Sequence, residues 1–292
     1  MDDRTQPLVS VLTPSLNQAR WLPDNLHSVE VQTWPRIEHV VMDGGSSDGS
    51  VDILRSAERP GLIWRSEPDR GQSHALNKAF DESKGEIIGW LNSDDAYFSP
   101  SVVEAAVAVI IERPDVDVVY GHSALVNEDG LILHMMWAPA FSARLLPLHT
   151  FFSQPSAFIR RRAIADQFVD EDFDHAMDRE LWLRLAWQRR FARLDRVVAI
   201  DRHQRGRKGY VQPEVARQEN SRLAEMYCLP YGQWADVRRK VFKVLARWRG
   251  IALIGQAGPP HSFQAISDGR LRLLLRQAVT LRRWMPASAP GS

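Results

Sequence analysis

The stretch Glu86-Ile87-Ile88-Gly89-Trp90-Leu91-Asn92-Ser93-Asp94-Asp95 decides how the rest of the chain is read. An apolar run of strand length ends abruptly in two adjacent carboxylates, which predicts a buried strand over 86–92 with an acidic loop at its carboxyl end. Adjacent acids repel, and they need a cation, a helix N-terminus or solvent to relieve them. Helix capping is the plain answer, but the next helical pattern opens near Ser99-Pro100, a better cap and first-turn pair. The alternative is a divalent cation, Mn²⁺ or Mg²⁺, held by one or two carboxylates and completed by phosphate oxygens.

Working outward, short apolar runs at 8–13, 37–42 and 62–65 alternate with helical patterns. Trp21, Leu22, Leu26 and Val29 mark one helix face, and Ala75, Leu76, Ala79 and Phe80 another. Successive βα units of this kind predict an α/β fold with a mostly parallel sheet, whose ligands bind beyond the carboxyl ends of the strands. After about residue 115 the pattern changes. Runs at 116–120 and 131–137 flank the turn Asn127-Glu128-Asp129-Gly130 and predict antiparallel strands on the acceptor side of a cleft. From Gln212 the chain is mainly helical and increasingly basic, so the division is 1–211 for the main domain and 212–292 for a C-terminal extension. The run Gly255-Gln256-Ala257-Gly258-Pro259-Pro260 breaks that extension into two pieces.

Composition is that of an ordinary globular protein of 292 residues. A single cysteine, Cys228, leaves no internal disulfide and suits a reducing compartment. The N-terminus lacks the apolar run of a secretory signal, and no stretch approaches the roughly 20 apolar residues of a membrane span. The net charge of +1 conceals an acidic body and a basic tail, because 237–292 holds 11 Lys and Arg against Asp268 alone. Two basic helical candidates lie there, 237–248 with Val241, Phe242, Leu245 and Trp248 able to share a face, and 270–284 with Leu271, Leu274, Leu275 and Val279. Such a tail either docks on an anionic membrane surface or covers the acidic body.

Two further signals carry chemistry. In Asp43-Gly44-Gly45-Ser46-Ser47-Asp48-Gly49-Ser50, glycines permit tight turns and Ser47 or Asp48 can cap the following helix. The run is either a well-capped strand-turn-helix connection or a place where Asp43 accepts a hydrogen bond from a nucleobase N–H. Asp178 precedes the stripe Leu181, Trp182, Leu185 and Ala186, so an acid points toward the buried side of a helix. A first-turn acid serving the helix dipole explains it as well as a reacting group does.

Taken with Val9-Ser10-Val11-Leu12-Thr13-Pro14, Asp69-Arg70-Gly71-Gln72, Ala75-Leu76-Asn77-Lys78 and Asp178-Arg179-Glu180-Leu181-Trp182-Leu183-Arg184-Leu185, these motifs stand in family order over two-thirds of the chain. The chain resembles a family 2 glycosyltransferase of the GT-A type. The resemblance implies a Rossmann-like mixed sheet flanked by helices, a nucleotide-sugar donor, usually a UDP-sugar, and inversion at the anomeric carbon. It places Thr13, Pro14 and Asp43 around the base, and Asp69, Arg70, Asn92 and Ser93 on the nucleotide. Asp94 binds the metal with Asp95 in support, and Asp178 is the general base. His203 matches roughly where such enzymes place a late metal-ligating histidine, although a solvated basic loop explains it equally. Asn92 departs from the aspartate often found there; its amide oxygen can contact ribose or a metal-bound water. The expected acceptor is a glycan or lipid-linked hydroxyl rather than a nucleic acid. The expected location is cytoplasmic, peripheral on the inner membrane face. The competing readings are a sugar nucleotidyltransferase, disfavoured by the lack of a basic glycine-rich triphosphate loop near the N-terminus, and a binding module without activity, for which Asn92 speaks.

Overall fold

The computed structural model describes residues 6–206, 211–230 and 233–257. Its first part alternates β1 (Val9–Ser15), α1 (Leu22–Glu30), β2 (Ile37–Asp43), α2 (Ser50–Ser56), β3 (Leu62–Ser66), α3 (Gln72–Glu82) and β4 (Ile87–Trp90). The four strands are parallel in the order β3-β2-β1-β4. Every residue of β1 is buried, as a parallel strand covered on both faces requires. Alternation sends its side chains two ways. Leu12, with Val40 and Ile88, packs in a cluster with Ala75, Leu76 and Ala79 of α3. Val9 and Val11, with Ile87, pack on the other face against α4 (Val102–Glu112), after the short β5 (Ala96–Tyr97).

The second part adds β6 (Val118–Val126), β7 (Ile132–Met136), β8 (Ala157–Arg160), α5 (Met177–Ala186) and β9 (Phe191–Arg202). The sheet continues β4-β8-β6-β9-β5, with β7 on β6. Strand β8 is antiparallel to β4 and β6, and β9 is parallel to β6, so the sheet is mixed as expected. The hairpin at residues 127–130 is present, and β7 runs antiparallel to β6. Asn127 closes it by accepting the Leu131 and Asp129 amides on its side-chain oxygen. Helix α4 opens later than the sequence suggests, with Ser101 at its N-cap position.

Two helices follow, α6 (Pro213–Met226) and α7 (Gln233–Ala257). Leu223 of α6 joins the main core. Helix α7 lies on β7: a methyl group at Gly250 would sit 2.1 Å from the Met135 carbonyl oxygen, so only glycine allows this approach. It runs three residues into the stretch expected to break it, and the second basic candidate at 270–284 lies outside the described residues. Among the described residues no helix is long and apolar enough to cross a membrane.

One buried polar pair sits under the site. The Thr13 hydroxyl donates to the Leu91 carbonyl at 2.7 Å and meets His39 Nε2 at 2.9 Å. With its hydrogen spent on Leu91, the hydroxyl can only accept from the ring, which fixes the Nε2–H tautomer of a neutral imidazole. Burial, helped by the charge of Arg59, pushes the His39 pKa down to about 3. The unfolded chain therefore takes a proton near pH 6.5 that the folded chain refuses, and stability falls as pH drops below that value. Denaturant unfolding from about pH 7.5 to about pH 5 should show a loss of about 2 kcal/mol from this residue, and His39→Gln should flatten the dependence.

Candidate active site

A cleft of about 980 Å³ opens beyond the carboxyl ends of β1 and β4. Pro14 and Ser15 at the end of β1, Asp69 after β3, the loop Asn92-Ser93-Asp94-Asp95 after β4, and Asp178 on α5 all line it. Thr13, Asp43, Arg70 and His203 are not among its lining residues. The elements converge because parallel strands present all their carboxyl-end loops on one side.

Asn92 organises the acidic loop. Its side-chain oxygen accepts from Trp90 Nε1 at 2.8 Å and from Gln72 Nε2 at 2.9 Å. Its side-chain nitrogen donates to Gln154 Oε1 at 3.1 Å and to Asp95 Oδ2 at 3.3 Å. An indole can only donate and a carboxylate can only accept, so the amide cannot be turned over. Gln154 is itself anchored on the Trp90 carbonyl. From the other side, Asn25 of α1 donates to the Asn92 and Asp95 carbonyls. The position thus requires a group that both accepts and donates, which explains why an amide stands where the resemblance leads one to expect an acid.

The two aspartates do different things. Asp95, 4% exposed, accepts the Arg202 backbone amide at 2.9 Å in addition to Asn92. Asp94 accepts from Gln204 Nε2 at 2.8 Å, and its carbonyl takes the Arg202 Nε hydrogen. The cation that relieves the acidic pair is therefore, in part, the guanidinium of Arg202, which also bridges to Asp24 at 2.9 Å. Burial lowers the Arg202 pKa against the pull of Asp24, Asp95 and Asp94, and burial raises that of Asp24 against Arg202.

A protein-only metal cage does not form. Among the described residues no three His, Cys, Asp or Glu side chains gather to hold an ion. The His203 ring approaches Asp201 at 3.7 Å and its amide donates to the Val126 carbonyl, whereas its neighbours Arg202 and Gln204 bond Asp94. Asp94 alone fits the weaker requirement of a hard cation completed by two substrate phosphates.

The nucleotide side is likewise divided. The Asp43 carboxylate, 2% exposed, accepts the Gly45 and Ser46 amides at 3.1 and 2.8 Å, the Ser66 hydroxyl at 2.6 Å, and the Ser46 hydroxyl. It shapes the turn rather than facing the cleft. Asp48 receives the amide and hydroxyl of Ser50 at the head of α2, from the position before the N-cap residue Gly49. Asp69 comes close over Gly44, where a methyl group would lie 2.8 Å from Asp69 Oδ2. Arg70 is turned outward to Glu171 at 2.7 Å, since that carboxylate and Asn77 form a ready partner on the surface.

Asp178 sits in the first turn of α5, where the helix dipole favours a carboxylate. Its carboxylate accepts the Arg179 amide at 2.7 Å, and the N-cap residue, Ala176, offers no side-chain cap. Instead Glu219 of α6 accepts the amides of Asp174, His175 and Ala176 at 2.8–2.9 Å. Sequence reasoning missed Glu219 and Asn25, because nothing local marks a group that acts across the fold.

The family model described as Glycosyl transferase family 2 matches residues 10–168, and the chain belongs to that family. An uncharacterized glycosyltransferase of Mycobacterium tuberculosis is 37% identical over 116 residues, 39% of this chain and 44% of that protein, so the chain spans less than half that relative's length. S. aureus TarS 1-349 in complex with UDP-GlcNAc matches with a TM-score of 0.61 at 21% identity, over 94% of this chain and 87% of that one. Mannosyltransferase PcManGT from Pyrobaculum calidifontis, in complex with GDP-Man and Mn²⁺, gives 0.58 at 20% identity, over 96% and 82%. Identities this low speak to the fold, which is that of the GT-A glycosyltransferases.

Restoring the acid at position 92 should harm the protein. Asn92→Asp sets a carboxylate against Asp95 and Gln154 Oε1, leaving acceptors with no donor, and a loss of about 2 kcal/mol or more is expected in denaturant unfolding. A variant as stable as wild type would remove the organising role of the amide.

Proposed function

We propose that the chain transfers a sugar from a UDP-sugar to an acceptor hydroxyl with inversion, in the synthesis of a polysaccharide, glycolipid or cell-envelope glycan. The observation that carries this reading is that Asp94 and Asp178, from separate elements, line one cleft together with the carboxyl end of β1. Asp69, Pro14 and Ser15 offer the nucleoside side, and the Asn92-Ser93-Asp94 loop offers the diphosphate side. Asp94 would hold a divalent cation, Mn²⁺ or Mg²⁺, which would supply neutralising charge for the departing nucleoside diphosphate.

Asp178 removes the proton from the acceptor oxygen as that oxygen bonds the anomeric carbon. The bond from that carbon to the diphosphate oxygen breaks on the opposite face, which inverts the centre without a covalent enzyme intermediate. Arg202, Asn25 and Asn92 hold the loop so that Asp94 need not reorganise. The residue that spoke for an inactive binding module, Asn92, is accounted for by its four hydrogen bonds. The acceptor is a glycan or lipid-linked hydroxyl, and the basic C-terminal extension meets an anionic membrane surface on the cytoplasmic side.

Thermal-shift measurements with UDP-, GDP- and dTDP-sugars, with and without Mn²⁺, test the donor. UDP-sugars should give the largest shift, its Mn²⁺-dependent part lost in Asp94→Asn. Asp178→Asn should keep that shift while turnover falls about 100-fold or more. Unchanged turnover where chemistry limits the rate would end the base assignment.

A further inference from the structure

Helix α7 has two apolar faces, and only one is used by the fold. On the docked face Phe242 packs edge-on against His149 and Phe151, with ring centroids 5.6 and 6.4 Å away, and Leu253 packs beside Met135. The opposite face carries Val237, Val241, Val244, Leu245 and Trp248, each 48–58% exposed. Their spacing of i, i+4, i+7, i+8 and i+11 makes one continuous stripe. The sequence grouped Phe242 with this stripe; the structure turns it to the opposite, docked side.

Charge brackets the stripe. At about 100° per residue, exposed Arg238 and Arg249 fall along one edge and exposed Lys240 along the other, with exposed Lys243 further round. Monomeric soluble proteins scatter exposed apolar side chains singly, so five on one helix face call for an occupant. A second copy of this chain would bring the cations of two stripes together. The segment 258–292 carries five arginines against Asp268 and is repelled in the same way. An anionic bilayer matches both features, taking the apolar stripe at the acyl boundary and the cations at its phosphates.

We propose that the Val237, Val241, Val244, Leu245 and Trp248 face of α7 lies in the plane of an anionic membrane. This rests on the membrane reading given above and assigns it to one surface. It has a consequence for the acceptor. His149, on which Phe242 packs, lines the cleft, as does Met136 of β7. A bilayer on the outer side of α7 would therefore lie about one helix diameter, roughly 10 Å, from the cleft wall, within reach of an acceptor carried on a lipid.

Co-sedimentation of the full chain with phosphatidylcholine vesicles, and with vesicles containing about one-third phosphatidylglycerol, tests the assignment. Wild type should bind the anionic vesicles at least about tenfold better, with the preference lost in high salt. Val241→Ser/Leu245→Ser/Trp248→Ser should lose at least about tenfold in vesicle binding while its Tm holds, because these side chains support no packing in the fold. Lys240→Gln/Lys243→Gln should weaken the anionic preference, with Arg238 and Arg249 retaining part of it. A triple variant that binds as wild type does would overturn the proposal by placing the contact elsewhere. Wild type that ignores all vesicles would overturn it too. So would wild type that is dimeric by light scattering while the triple variant is monomeric, which assigns the stripe to a second copy. Turnover of nucleotide-sugar in the absence of vesicles, followed in the same preparations, separates the two readings: transfer without vesicle binding sinks only the membrane surface, and vesicle binding without transfer sinks only the enzyme.

Discussion

Two carboxylates at the end of a buried strand cannot be left to repel each other, and much of the site follows from how that repulsion is managed. Asp95 is taken inward by the Arg202 amide and the Asn92 side chain. The Arg202 guanidinium sits behind the loop, bonded to Asp24 and to the Asp94 carbonyl. Both acids line the cleft, Asp95 held by these two groups and Asp94 bonded through its carboxylate to Gln204. The same contacts tie the loop after β4 to the end of β9, and Asn25 ties it to α1.

The opposite wall is built from greater sequence distance. Helix α5 begins without a cap of its own, and the carboxylate of Glu219 serves the three amides leading into it. Arg179 extends from α5 to Asn220 of α6 and to the Pro147 carbonyl. The turn that carries Asp178 is therefore braced by the segment the sequence set apart as an extension. Acid–base chemistry placed at a helix N-terminus works against the dipole, which favours the charged form of a carboxylate; desolvation by an acceptor acts in the other direction.

Helix α7 shows how one amphipathic pattern can serve two surfaces. Its glycine at position 250 allows the backbone to press on β7, and Phe242 and Leu253 fill that interface. The remaining apolar residues then face outward between cations. Whether a tail covers the body or meets a membrane is not a choice between alternatives here, because a helix has room for both on opposite sides.

The sequence by itself determined the βα order, the parallel strands, the hairpin at 127–130, and the set Pro14, Asp69, Asn92, Ser93, Asp94, Asp95 and Asp178 that lines one cleft. These are legible because strand alternation, helical period and the carboxyl-end rule act over short stretches or depend on the fold class alone. Only the tertiary structure decided that Asp43 and Asp95 accept internal hydrogen bonds, that Arg70 faces Glu171, and that His203 approaches Asp201. It alone identified Arg202, Asn25 and Glu219 as the groups that hold the site. Those roles depend on partners from 43 to 178 residues distant, and a side chain's free valences are set by what the fold brings next to it rather than by its neighbours in the chain.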